Sequence, residues 1–218
     1  ECAAGVVVGV TLMLAPGVSA SFATAGMTSA RGRSHTFDAR ADGYARGEAC
    51  CSASMSGSGD VSARGSAVRQ DGRSASLTAP SGLAQQGLVR ASLGDAGVDA
   101  SELACAEAHG TGTALGDPIE AGSLGGALLQ RLGAGGACVA LGSGKANVGH
   151  AEPAAGLTGL LKLAVGLWNA RTAPNANLRK TNPHVIIALR GTVCVLPVAL
   201  SEMAVGSFGG VSSFGYSG

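Results

Sequence analysis

Apolar positions along this 218-residue chain fall in short blocks separated by glycine-bearing polar stretches, and the blocks differ in period. From Val6 to Leu14 the run is aliphatic and β-branched without alternation, which predicts a strand covered on both faces and hence a layered fold. Ser29 to Glu48 reads as a polar loop, and Cys50 to Asp60 is so rich in Ser, Gly and Ala that no strand is expected there. Between Pro80 and Ala96, Leu83, Gly87, Leu88, Ala91 and Leu93 recur near helical spacing, with Ser81 as an N-cap and Gly94 or Gly97 as stops. Ala104 to Ala108 then predicts a strand, a Gly-Thr-Gly-Thr loop follows, and Pro118 to Leu132 predicts a helix. The same rhythm repeats with a strand over Ala137 to Gly142, a polar loop over Ser143 to Pro153 and a helix over Ala154 to Ala170. Arg171 to His184 is irregular, Val185 to Val198 suggests paired strands, and Gly206 to Gly218 reads as a Gly/Ser/aromatic loop. The overall expectation is an α/β protein with two glycine-bearing loops that each follow a strand.

Composition narrows this only a little. Fifteen basic against 14 acidic residues, without a basic run, argue against nucleic acid or an acidic membrane surface as partner. With 36 Gly and 7 Pro, about a fifth of the chain, the sequence stays below the fraction at which disorder becomes the default. Seven aromatics leave core filling to Ala, Val and Leu, so marginal stability of the isolated chain is expected. Six scattered cysteines (Cys2, Cys50, Cys51, Cys105, Cys138, Cys194) show no zinc-type spacing and suit a reduced, intracellular setting, cytoplasmic or plastid. The chain opens on Glu1 with no recognisable signal peptide, which reads as a truncated start. Two apolar stretches, Ala3 to Val18 and Ala154 to Trp168, are too short and too often broken for a span that needs about 20 residues, so no membrane span is expected.

Chemistry concentrates in E-A-H-G-T-G-T-A-L-G-D-P-I-E, Glu107 to Glu120, and K-A-N-V-G-H, Lys145 to His150. Each sets an imidazole beside glycines, which let a backbone approach a ligand closely, while Thr111 and Thr113 can hydrogen-bond an amide-bearing substrate. His150 precedes a predicted helix whose positive dipole end would favour a neutral, hydrogen-donating imidazole. A histidine in a glycine loop is often a hydrogen-bonded structural residue, and that reading stands beside the functional one. Cys105, Glu107, His109 and His150 offer metal ligands but lack a usual zinc spacing, so no metal is expected. Neither glycine loop fits a dinucleotide or phosphate-binding pattern: Gly110 to Gly116 has one residue too many, and Gly144-Lys145 is followed by Ala146.

In this order and about 25 residues apart, the two motifs resemble the histidine motifs of β-ketoacyl synthases. The resemblance extends through Thr36 to Glu48, Gly65 to Ser74, Leu77 to Pro80, Asn182 to His184 and Val211 to Gly218, and is nearest to type I polyketide synthases. It implies a thiolase-like layered α-β-α-β-α fold whose two halves each supply a five-stranded mixed sheet. Residues 1–60 would be the end of the N-terminal half and residues 61–218 the C-terminal half. The implied reaction is a decarboxylative Claisen condensation: a cysteine takes an acyl chain from an acyl carrier protein, a malonyl-type thioester loses CO2, and the enolate attacks the acyl-enzyme. No cofactor would be bound, and the substrates would be acyl and malonyl-type thioesters on the carrier's phosphopantetheine arm. His109 and His150 would donate to the thioester oxygen, and Lys145 and Glu120 would form an ion pair beside them. Thr78, Thr111 and Thr113 would contact the pantetheine arm, and Phe214 and Tyr216 would belong to a gating loop. The intact domain is expected to be a homodimer.

Two departures accompany the resemblance. The family's D-T-A-C-S-S nucleophile motif does not occur in the chain, so these 218 residues alone are expected not to condense. Ala49 to Val61 is shorter and poorer in β-formers than the family pattern, suggesting a lost strand. These departures keep a second reading open, a catalytically silent ketosynthase-like partner or scaffold, and a third, an unrelated thiolase-fold acyltransferase.

Overall fold

The computed structural model describes residues 4–57, 59–72, 79–128 and 138–215. The strands are β1 (Ala4–Thr11), β2 (Ala49–Ser56), β3 (Leu103–Glu107), β4 (Val139–Gly142), β5 (Arg171–Thr172), β6 (Cys194–Val195), β7 (Ser201–Glu202) and β8 (Phe208–Val211). The helices are α1 (Pro16–Thr24), α2 (Gly82–Ala96), α3 (Gly116–Leu128), α4 (Lys145–Val148), α5 (Ala155–Trp168) and α6 (Pro183–Ala188).

The central sheet runs β6-β4-β3-β8, and every pairing in it is parallel. Alternation along β3 sends Ala106 toward α3 and sends Cys105 and Glu107 toward α5. Leu124 and Leu128 of α3 meet Ala106, Val139 and Leu141, and Phe37, Leu178 and Val185 complete this core. α2 lies behind α3, and on the opposite side of the sheet α5 packs between it and the β1–β2 ribbon. The glycine of β1 that faces this layer is needed there, because a Cβ at Gly9 would stand 3.0 Å from the Ala154 backbone.

Local signals set α2 as expected: the Ser81 hydroxyl accepts the Ala84 N–H, and Gly97 closes the helix at φ 63°. Four expectations need correction. β1 is not covered on both faces: Val6 and Val8 are 71% and 61% exposed, since among the described residues only the face toward α5 and Ala154 is packed. The stretch after Glu48 does carry a strand. β2 pairs antiparallel with β1 from Ala4↔Ser56 to Thr11↔Ala49, so a full ladder outweighs the poor β-propensity of Ser and Ala.

Val185 to Val198 is not a strand pair. Asn182 caps α6 by accepting the His184 N–H, with Pro183 in the first turn, and only Cys194–Val195 remains as strand, parallel to β4. The glycine-rich tail is likewise not all loop, because β8 joins β3. At Gly209 a Cβ would come within 2.7 Å of Leu163 Cδ1 and 3.0 Å of Cys105 Sγ, so a larger residue would displace those side chains. Among the described residues the central sheet has four strands, all parallel. Among the described residues no helix is long and apolar enough to cross a membrane.

Candidate active site

Three parallel strands finish at one edge, with Glu107 opposite both Gly142 and Val211, so the loops after β3, β4 and β8 meet there. This is where an open α/β sheet offers a crevice to ligands. The loops carry His109, His150 and Phe214 respectively. The imidazole centroids of His109 and His150 lie 5.4 Å apart at an interplanar angle of 86°. Phe214 stands 5.5 Å from His109, and Tyr44 stands 5.0 Å from His150.

Each imidazole is held by a backbone amide. The Phe214 N–H donates to His109 Nδ1 at 3.2 Å, and the Glu152 N–H donates to His150 Nδ1 at 3.0 Å. An acceptor Nδ1 places the proton of the neutral ring on Nε2, so both rings present an Nε2–H donor. Burial and the nearby Lys145 charge favour that neutral state, lowering His109 well below its ordinary range and His150 to about 4.

The first histidine loop is tied down by two buried carboxylates. Glu120 accepts the N–H groups of His109 (2.7 Å) and Gly110 (2.8 Å). Asp117 accepts those of Gly112 (3.0 Å), Thr113 (3.3 Å) and Phe37 (2.7 Å), joining the loop to the 34–38 segment. Burial pushes Glu120 up to about 7 and Asp117 up to about 6. Gly110 needs its glycine: it sits at φ 44°, and a Cβ would meet Ser143 Cβ at 2.6 Å. Thr111 and Thr113 border the same loop with their hydroxyls 3.4 Å apart, and Thr113 Oγ1 also accepts the Gly116 N–H.

The expected Lys145–Glu120 ion pair is not formed. Lys145 is buried in α4 among Glu120, Glu107 and Asp117, without a carboxylate oxygen of the described residues within 4.0 Å, and burial lowers its pKa. The buried pair is instead Lys162–Glu107, from α5 to β3, and the second oxygen of Glu107 accepts the Gly144 N–H at the start of α4. Glu120, one turn into α3, is spent on the backbone amides of His109 and Gly110. Thr78 and Tyr216 lie outside the described residues.

The amides of Glu152 and Phe214, and the roles of Asp117, Glu107 and Lys162, escaped the sequence reading. Only Asp117 carried a local signal, an acidic residue in the first turn of α3 followed by Pro118. Among the described residues no group of three or more His, Cys, Asp and Glu is placed to hold a metal ion. Burial pushes the Cys105 thiol up to about 11 and that of Cys194 up to about 12, so neither is an activated nucleophile.

Known proteins resemble this chain along its whole length. The family model for the β-ketoacyl synthase C-terminal domain matches residues 61–179, and that for the N-terminal domain matches residues 1–54. The chain is 38% identical to a phenolphthiocerol/phthiocerol polyketide synthase of Mycobacterium tuberculosis, over 100% of its own length and 12% of that protein. It is 40% identical to a highly reducing polyketide synthase of Cordyceps militaris, over 96% of the chain and 8% of that protein. Among solved structures, an oxazolomycin ketosynthase domain of Streptomyces albus superposes with a TM-score of 0.93 at 30% identity, covering 100% of this chain and 40% of that one. The module 6 ketosynthase of the bacillaene synthase of Bacillus subtilis gives 0.90 at 31% identity with the same coverage. The chain thus spans well under half the length of each of these proteins, and its architecture is their thiolase-like α/β fold. With more than half its residues matched by one family model, the chain belongs to the β-ketoacyl synthase family, in its type I polyketide synthase branch.

Proposed function

We propose that this chain supplies the oxyanion-binding half of a condensing site, in which His109 and His150 donate their Nε2–H groups to the carbonyl oxygen of a malonyl-type thioester. The observation that carries this is the pair of backbone amides on the two Nδ1 atoms, which leaves a donor on each of two neighbouring rings. As the carbon–carbon bond to the carboxylate breaks, CO2 leaves and its bonding pair becomes the enolate. The negative charge that builds on the thioester oxygen is met by two preorganised donors. The enolate carbon then attacks an acyl thioester on the nucleophilic cysteine, a new carbon–carbon bond forms, and the cysteine thiolate departs. Neither histidine needs to take a proton in these steps.

Burial, with the charge of the neighbouring Lys145 added to it, keeps both rings neutral. Glu120 shapes the first histidine loop through two amides rather than through Lys145. Thr111 and Thr113, with Thr78, are proposed to receive the phosphopantetheine arm of an acyl carrier protein, and Phe214 and Tyr216 to line the acyl entrance. The join between residues 1–60 and residues 61–218 is read as the boundary between two halves of one domain, which acts as a homodimer. Two family matches that meet between residues 54 and 61 support that boundary. The rival reading, a silent partner, drew on a lost strand after Glu48; β2 spans that stretch, so it loses that support.

The test is decarboxylation of a malonyl thioester by the intact protein, which does not require the cysteine. His109→Ala and His150→Ala should each slow CO2 release about a hundred-fold or more. Rates within twofold of the parent in both variants would sink the assignment.

A further inference from the structure

The loop that carries His150 is laced to the 44–47 segment by two backbone hydrogen bonds and an ion pair. The His150 N–H donates to the Ala45 carbonyl at 2.7 Å, and the Gly47 N–H donates to the His150 carbonyl at 2.9 Å. The Glu152 N–H reaches His150 Nδ1, and the Glu152 carboxylate returns to Arg46. That last contact is bidentate, Nε to Oε1 at 2.5 Å and Nη2 to Oε2 at 3.0 Å, with the two side chains only 10% and 21% exposed. Arg46 is itself fixed by α1, donating to Ser19 Oγ at 2.7 Å and lying 5.1 Å from the Phe22 ring centroid.

Glu152 adopts φ 44°, a left-handed conformation that a residue with a Cβ takes only when its surroundings hold it there. The strained residue is therefore the one whose amide orients the imidazole, and its side chain is the one anchored by a two-point ion pair.

We propose that Arg46 and Glu152 are positioning residues for His150: their ion pair holds the Glu152 backbone in the left-handed region, and that conformation delivers the Glu152 N–H onto His150 Nδ1. The consequence is that α1 and the 44–47 segment, remote from the glycine loops in sequence, set which nitrogen of His150 carries the proton. The inference rests on the reading of His150 as an oxyanion donor, and the test separates the two.

The experiment uses the intact protein with Glu152→Ala, Glu152→Gly, Arg46→Met and the double variant Arg46→Met/Glu152→Gly. Two properties are read: kcat and KM for decarboxylation of a malonyl thioester, and the titration of His150 followed by deuterium exchange at its imidazole C2–H, with His109 as internal reference. The groups facing His150 are Lys145, His109, Tyr44 and Glu152, and all but Glu152 are unchanged in every variant.

Glu152→Ala and Arg46→Met should lower kcat between about ten- and a hundred-fold with KM nearly unchanged, as misplacement of a reacting group does. The His150 titration should also lie higher in Glu152→Ala than in Glu152→Gly, which removes the same carboxylate charge, and should rise in Arg46→Met, because an Nδ1 freed from an N–H donor accepts a proton more readily. Glycine takes φ 44° without strain and keeps the N–H, so Glu152→Gly should recover most of the rate lost in Glu152→Ala, and the double variant most of that lost in Arg46→Met. A His150 titration no higher in Glu152→Ala than in Glu152→Gly, together with one unmoved in Arg46→Met, overturns the proposal. So does a Glu152→Gly variant as impaired as Glu152→Ala, since the carboxylate itself would then be the working part. Should Glu152→Ala fail to fold, Arg46→Met and the double variant carry the same comparison. Retention of decarboxylation in His150→Ala would overturn the oxyanion reading alone, while the imidazole titration still decides the positioning role.

Discussion

Replacing Lys162 by Met removes the cation from a carboxylate that has little access to water. The Glu107 side chain is 7% exposed and that of Lys162 is 23% exposed, and the other Glu107 oxygen is already committed to the Gly144 N–H. Gly144 and Gly159 wall this slot, where added Cβ atoms would stand 3.2 Å from Glu107 Oε1 and 3.3 Å from Glu107 Cγ, so the stranded carboxylate cannot turn aside. Breaking a buried pair in this way costs about 3–5 kcal/mol, and the retained Gly144 amide and nearby Lys145 place the expected loss toward about 3 kcal/mol. The reverse change is milder. Glu107→Gln keeps an acceptor for Gly144, and Lys162 can extend toward solvent, so the loss is about 1–2 kcal/mol, on the scale of one charge-assisted hydrogen bond.

The pH dependence separates these effects further. Burial already raises the Glu107 pKa with Lys162 present, and its rise is larger without the ammonium. A carboxyl whose folded pKa is raised contributes stability that is present below its unfolded value of 4.5 and lost as pH rises through the folded value. The Lys162→Met deficit should therefore shrink toward pH 4.5, while that of Glu107→Gln, with no carboxyl to titrate at 107, should not. Opening free energies from native-state hydrogen exchange at the amides of β3, Gly144 and α5 read this locally in the intact protein. A Lys162→Met loss no greater than that of Glu107→Gln, or one that grows toward acid, would refute the placement of the pair.

Three further outcomes follow from the site. Phe214→Ala keeps its amide and should raise the His109 titration only as far as lost burial allows, whereas Phe214→Pro also removes the N–H on Nδ1 and should raise it further; C2–H exchange at His109 distinguishes the two. Gly110→Ala forces a Cβ to 2.6 Å from Ser143 Cβ and 2.8 Å from Thr36 Cγ2 at φ 44°, and should destabilise the loop by about 2–3 kcal/mol, measured as a lowered thermal midpoint together with slower decarboxylation. Asp38→Asn breaks a fully buried carboxylate that accepts Arg40 Nε at 2.7 Å and the Arg179 and Lys180 amides at 2.7 and 3.0 Å, for a loss of about 3 kcal/mol. The Arg40 guanidinium and these amides hold Asp38 well below its ordinary 3.8, so its stabilisation is present above that value and lost as pH falls further; acid unfolding of the parent should steepen below pH 4 and that of the variant should not.

The residues that announce this protein are local. Two histidine motifs, the strand–loop–helix rhythm around β3, α3, β4 and α5, and the Ser81 and Gly97 caps are legible because their partners lie within a few positions along the chain. The sequence reading went astray where a partner is remote. β2 forms from Ser and Ala because β1 offers it a complete ladder, and β8 lies against β3 with Leu163 and Cys105 close over Gly209. Both histidines were visible as residues, but which nitrogen donates is decided by the amides of Phe214, 105 positions away from His109, and of Glu152, two positions from His150 but held in a left-handed backbone by Arg46. The same holds for charge: Lys145 and Glu120 each stand in a histidine motif, yet the packing of α5 on the sheet carries Lys162 to Glu107, and Glu120 goes to the loop amides. Residue type and short-range spacing determine which chemistry is available, whereas hydrogen-bond directionality and the burial that sets proton affinity depend on groups that only the folded sheet brings within 3 Å.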